Sequence, residues 1–178
     1  MAGYSGTPLP RKLGIKPHCR LGAWNAPDDF ADQLGALPEG VRLEDAARGS
    51  SLLDVIVCFV SSRAELERLF PRARKRLDPN GGLWLCWPKK ASGIKTDIGE
   101  NELRNAGLAA SLVDNKVCAI SAVWSGLRLV VRVRDRPKNR SQDPGPSTPK
   151  RREQTKARRR GVPGRYVEEP QRRAAKRI

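Results

Sequence analysis

Lys89, Lys90 and Ser92 place two ammonium groups and a hydroxyl directly behind Pro88, at the end of the apolar run Leu83–Trp87. Such a group of donors can hold a phosphate or a carboxylate. Alternation along the run sets Leu83, Leu85 and Trp87 on one face and Trp84 and Cys86 on the other. Both faces are apolar, as in a central parallel strand, and open α/β sheets bind ligands in the crevice beyond the carboxyl ends of their strands. Lysines flanking an apolar strand also serve as gatekeepers against aggregation, and that reading stands beside the first. Asp114 and Lys116 could add a carboxylate and an ammonium to the same crevice, although Asp114-Asn115-Lys116 is equally an ordinary turn. Trp124, with Trp84 and Trp87, could stack a base or could simply fill core.

The elements that position these residues follow from the periodicity. Leu9, Leu13 and Ile15 suit one helical turn; Cys19–Trp24 reads as a first strand, and Pro27–Leu34 as a helix opened by proline and two aspartates. Val41–Leu43 is a short second strand and Leu52–Val60 a strong third, apolar apart from Asp54. Ser62 and Glu65 fit a capping box, so Ser62 reads as an N-cap rather than a nucleophile. Leu66, Leu69, Phe70, Ala73 and Leu77 form the stripe of the helix that follows, which Pro71 should kink or split. Asp78–Gly81 should end it as a turn before the Leu83 strand. Asp97 and Glu100 can cap a further helix ending at Gly107. Val117–Val123 and Leu127–Val133 then read as a hairpin across Trp124-Ser125-Gly126, its last strand half-solvated with Arg128, Arg132 and Arg134 outward as edge protection. The alternation of strands and helices predicts a three-layer α/β/α Rossmann-like sandwich, mostly parallel and ending in an antiparallel hairpin.

The chain of 178 residues carries a formal net charge of +16, unevenly spread. Residues 1–134 contain 20 Lys/Arg against 14 Asp/Glu, and residues 135–178 contain 15 against 5. The expected division is therefore a folded domain over 1–134 and a disordered basic tail over 135–178. Prolines 144, 146 and 149 exclude regular structure in the linker. Beyond it lie Lys150, Arg151, Arg152, Lys156, Arg158, Arg159, Arg160, Arg172, Arg173, Lys176 and Arg177, cations without apolar periodicity. They are candidates for phosphate contacts with nucleic acid or for an acidic protein partner, and equally for a merely solubilising role. No apolar face accompanies them, which argues against a membrane surface.

Cys19, Cys58, Cys86 and Cys118 stand singly and read as buried free thiols of a reducing compartment. With His18 the one histidine, a Cys/His zinc site is not expected. No segment resembles a signal peptide, and the expectation is a soluble cytoplasmic protein.

LGIKPHCRLGAW resembles the lead-in to the first strand of class I methyltransferases, and LDPNGGLWLCW the approach to a later one. A closer match covers residues 2–134, through AGYSGTPLPRKLGIKP, LWLCWPKKASG and LVDNKVCAISAVWSGLRLVV. By these motifs the chain resembles the bacterial family labelled domain of unknown function 3052. The resemblance implies a Rossmann-like fold and no established activity. It carries over Pro88, Lys89, Lys90, Ser92, Asp114, Lys116, Trp124, Ser125 and Gly126 as motif positions only.

Nucleotide or S-adenosylmethionine binding would need a glycine-rich turn after the first strand and free N–H groups at a helix start. Asn25-Ala26-Pro27-Asp28-Asp29 has no glycine, one donor fewer at Pro27, and two carboxylates that repel a phosphate. Glu44 or Asp45 falls roughly where a ribose-binding acid would sit, about 20 residues on, but without the glycine turn it reads as a solvated strand end. No cofactor is expected. The residues thus favour a non-enzymatic binding protein whose basic tail contacts nucleic acid or another polyanion. The alternative is a small-molecule site for an anion or phosphorylated metabolite, or a degenerate methyltransferase-like enzyme, at the Lys89/Lys90 crevice.

Overall fold

The computed structural model describes residues 6–45 and 48–137; the basic clusters from Lys150 onward lie outside the described residues. In chain order the elements are α1 (Leu9–Leu13), β1 (Arg20–Trp24), α2 (Phe30–Leu34), β2 (Arg42–Asp45), β3 (Leu53–Phe59), α3 (Arg63–Arg76), β4 (Leu77–Pro88), a 3-10 turn (Lys90–Ser92), α4 (Glu100–Ala109), β5 (Leu112–Ala119), β6 (Trp124–Val131) and a second 3-10 turn (Val133–Asp135). The sheet runs β2-β1-β3-β4-β6-β5. Strands β2, β1, β3 and β4 pair in parallel, and β6 lies antiparallel between β4 and β5.

Two apolar clusters cover the two faces, as the double-sided strands require. Leu66, Leu69, Phe70 and Ala73 of α3 and Leu103 of α4 pack with Ile56, Cys58, Leu83 and Leu85 on one side. Leu9 and Leu13 of α1 and Phe30 and Leu34 of α2 pack with Val55, Val57, Trp84 and Cys86 on the other. The result is the expected Rossmann-like α/β/α sandwich. Each fully buried Leu or Phe contributes about 2 kcal/mol, and the split of Leu83 and Leu85 from Trp84 and Cys86 is the one that alternation predicts.

Several boundaries differ from the sequence reading. Strand β4 begins at Leu77, so Asp78–Gly81 is a bulge inside the strand: Leu53 pairs with Leu77, and the register then shifts until Val55 meets Gly82. Glycine at 81 permits this close approach, because a Cβ there would stand 2.6 Å from the Asp54 carbonyl oxygen. Pro71 neither splits nor ends α3, whose buried stripe holds the turn despite the missing N–H. Gly107 lies within α4 rather than at its end, where a Cβ would meet Leu129 at 2.6 Å.

The hairpin is shifted as well. Its turn falls before Trp124, where the Ser121 hydroxyl accepts from Val123 N and Trp124 N at 3.1 Å each. Trp124-Ser125-Gly126 is strand, paired with Pro88, Trp87 and Cys86. The glycine at 126 serves packing against Ile120 and Trp84 instead of a turn. Since β6 is interior, Arg128 is no edge guard, and Arg132 and Arg134 follow the strand rather than line it.

Candidate functional site

The ends of β1, β3 and β4 carry the loops where the sequence places a ligand. At β4 the expected donors turn inward. Lys89 is half-buried, its Nζ donates to Ser121 O at 2.6 Å and its backbone N–H to Val123 O at 2.8 Å. The Ser92 hydroxyl donates to Lys89 O at 2.7 Å and accepts from Ile94 N at 3.3 Å. Lysine 89 thus clamps the β5–β6 turn onto the end of β4, and Ser92 closes its own 3-10 turn. Lys90 is exposed.

The structure does not bring Asp114 and Lys116 to this crevice. A bulge between them on the edge strand β5 separates their directions. Asp114 accepts from Arg104 Nε at 3.1 Å on the α4 side. Lys116 lies on the α1 side, donating to Lys12 O at 2.7 Å with its Nζ 5.9 Å from the centre of the Trp84 ring. Trp84 is fully buried and donates Nε1 to Leu13 O at 3.0 Å. Trp124 does reach the carboxyl end, where it meets Phe59 edge-on at 5.1 Å; Phe59 meets Phe30 likewise at 5.0 Å. These rings are largely core.

The starts of α3 and α4 are occupied by the chain itself. Ser62 Oγ accepts from Glu65 N at 3.3 Å, while the Glu65 carboxylate returns to Ser61, taking N at 2.7 Å and Oγ at 2.9 Å, rather than to Ser62. Asp97 caps α3 and not α4, accepting from Arg63 N at 2.9 Å. Gly99 is the N-cap of α4, and its N–H donates to Glu102 at 2.8 Å. Helix α2 is a single short turn preceded by exposed Asp28 and Asp29, with Asn25 in a left-handed conformation at φ 49°. These residues do not fit a cofactor's phosphate or methionine group: α2 is one turn long with two exposed carboxylates at its start, and the N–H groups of Ser61, Arg63 and Gly99 are bonded to carboxylates.

The thiols below this end are closed in. Burial pushes Cys58 up to about 12 and Cys86 well above the ordinary range, with the neighbouring acid Glu65 adding to the first. Cys118 is raised by partial burial.

The opposite end of the sheet differs in kind. Toward the end where β1, β2, β3 and β4 begin and β6 finishes lie Lys16, Arg20, Arg42, Arg128, Arg132, Arg134 and Arg136, against the acids Asp54, Asp78 and Asp135. Arg20 is paired with Asp54 at 3.5 Å, and Arg134 with Asp135 at 3.6 Å. Arg136 donates Nε to Val131 O at 3.1 Å. Arg128 is half-buried: Nη1 reaches Asn115 Oδ1 at 3.4 Å, and the buried Nε has no acceptor among the described residues. Burial, with Arg136 nearby, lowers its affinity for its proton. Sequence reasoning missed this residue by placing it on a solvated edge; Gly82, against which the guanidinium lies, was the available signal.

The chain is similar in fold to a number of solved structures, among them the following three. A ribosomal protein L11 methylase from Lactobacillus delbrueckii subsp. bulgaricus is 13% identical over 70% of this chain and 75% of its own, with a TM-score of 0.44. A magnesium protoporphyrin IX methyltransferase from Synechocystis PCC 6803 with bound SAH is 10% identical over 70% and 78%, TM-score 0.47. A fibrillarin pre-rRNA processing protein from Methanococcus jannaschii is 14% identical over 72% and 70%, TM-score 0.44. These likenesses concern fold and assign no activity. No family model and no curated protein matches the chain. Among the described residues no His, Cys, Asp or Glu side chains group as metal ligands, and no helix is long and apolar enough to cross a membrane.

Proposed function

We propose that the chain is a non-enzymatic binding protein that holds nucleic acid or another polyanion through its basic end and the Arg/Lys-rich residues 135–178. One observation carries this reading: the segment with 15 Lys/Arg against 5 Asp/Glu follows in sequence on the sheet end that already bears Arg128, Arg132 and Arg134. The folded end and the segment that follows it are both net positive, and arginine suits two-pronged phosphate contacts. Among the described residues no element presents side chains arranged to read base edges, and the reading is accordingly one of non-specific binding. In the same reading the chain is a member of the bacterial family labelled domain of unknown function 3052, supported by the motifs quoted above. A small-anion site at the crevice is a second reading, favoured only by exposed Lys90 beyond the end of β4.

A salt titration of fluorescence anisotropy on random-sequence duplex DNA tests the proposal. With about six cations on phosphates, log affinity against log salt should fall with a slope near −5. Replacing Lys150, Arg151, Arg152, Lys156, Arg158, Arg159 and Arg160 by Gln in the full chain should weaken binding at every salt concentration and make the slope shallower. Unchanged binding by that variant, or no binding by the unaltered chain at about 50 mM salt, refutes it.

A further inference from the structure

The basic end also holds a shaped feature that diffuse charge does not explain. A cleft of about 340 Å3 opens there among Lys16, His18, Asp54, Asn80, Gly81 and Arg128. Arg128 reaches it from β6 by lying against Gly82, where a Cβ would stand 2.5 Å from Nε and 2.7 Å from Nη2. Any side chain at 82 would displace the guanidinium, so the glycine leaves room for it.

The guanidinium is unusual in what it lacks. Of its five N–H donors, one is directed to Asn115, at the long distance of 3.4 Å. Among the described residues it forms no ion pair. The one acid of the cleft, Asp54, is committed elsewhere: its Oδ2 accepts from Arg20 N at 2.7 Å and lies 3.5 Å from Arg20 Nε. Lys16 and His18 are exposed at the cleft, and neither carries an ion pair among the described residues. A partly desolvated arginine without a counter-charge costs stability unless an anion completes it. Its free donors match the oxygens of a phosphate or carboxylate.

We propose that this cleft is a discrete site for one oxyanion group, a phosphate or a carboxylate. The free guanidinium N–H groups of Arg128 bind it, Lys16 offsets its charge, and His18 and Asn80 supply further N–H donors. Paired with Arg20, Asp54 forms one wall without opposing the ligand by a full charge. The proposal goes beyond the polyanion reading and does not depend on it. Two sources share this chemistry: a small phosphorylated or carboxylated molecule, and a single backbone phosphate of a bound nucleic acid.

Isothermal titration of the full chain with inorganic phosphate, beside anisotropy with duplex DNA, separates these sources. A small-molecule source predicts one saturable phosphate site per chain, weakened about tenfold or more in Arg128→Gln, as loss of a charged forked donor implies. Arg128→Lys, which keeps the charge and loses the fork, should also weaken it, and Lys16→Gln should weaken it less. A nucleic-acid source predicts no saturable phosphate site, but a DNA salt slope shallower by about one in Arg128→Gln. The variant with seven tail cations replaced should keep a phosphate site intact, so failure of the polyanion reading leaves this one standing. If neither ligand distinguishes Arg128→Gln, Arg128→Lys or Lys16→Gln from the unaltered chain, the proposal is overturned. Unaltered melting temperatures in Arg128→Lys and Lys16→Gln keep that result from being a folding defect.

Discussion

The two ends of the sheet are built on opposite terms. At the carboxyl end the cations and hydroxyls that look available in sequence are spent on the chain: Lys89 on Ser121, Ser92 on Lys89, Ser62 and Glu65 on the start of α3. Acids sit at the helix starts, and thiols beneath them are dry. At the amino end a guanidinium with a buried, unpartnered Nε lines a cleft, and the arginines around it continue into the basic segment. The contrast teaches that position beyond a strand's carboxyl end does not make a site. What matters is whether the polar groups there still have donors to give.

Thiol chemistry is where the contrast should be largest. At pH 8 a group near 12 has about a thousandfold less thiolate than one at the ordinary 9.0. Burial raises Cys19 and Cys118 too, but less far, so under limited labelling with a disulfide reagent Cys19 beside the cleft and half-buried Cys118 should be modified before Cys58 and Cys86. Peptide mass spectrometry reads the order, and early labelling of Cys58 or Cys86 would show the carboxyl end to be open. The same burial sets a pH dependence. A thiol raised on folding contributes stability that is intact below its unfolded value and lost as pH rises through that value toward 12. Urea midpoints should accordingly fall from about pH 9 upward.

Substitutions should separate the two ends by sign. Lys89→Met removes the bond that clamps the β5–β6 turn and should cost about 1–2 kcal/mol, or about 3–6 °C in Tm for a domain of this size. Glu65→Ala frees Ser61 and the start of α3 and should cost about 1 kcal/mol. Arg128→Met removes a buried unpaired donor and should leave Tm unchanged or raise it. Lys90→Ala should change nothing measurable. Differential scanning fluorimetry on the full chain ranks the four, and a destabilising Arg128→Met beside a neutral Lys89→Met would reverse the comparison.

Much of the scaffold was legible because apolar periodicity is a local signal. Leu53–Phe59, apart from Asp54, and Leu83–Trp87 are apolar on both faces, as a sheet covered twice requires. The boundaries that moved were those set by tertiary packing. Gly107 and Gly126 carry the same letter as turn glycines, yet they admit Leu129 and Ile120. Asp114 and Lys116 parted because a bulge flips the side of the sheet, and nothing local to Asp-Asn-Lys announces one. Lys89 looked free because its partner is a carbonyl 32 residues away. Arg128 looked like an edge guard because strand order, which buries it, is not written in the strand itself.

In the reading proposed above, phosphate is met at the amino end of the sheet. Two full-chain variants test it, each without two cations: Arg132 and Arg134 to Gln at the amino end, and Lys90 and Lys95 to Gln at the carboxyl end. Duplex DNA affinity is followed by anisotropy across salt. Binding should be weaker for the arginine variant, with a slope shallower by up to about two, and unchanged for the lysine variant. Equal losses, or a greater loss on replacing Lys90 and Lys95, would contradict it.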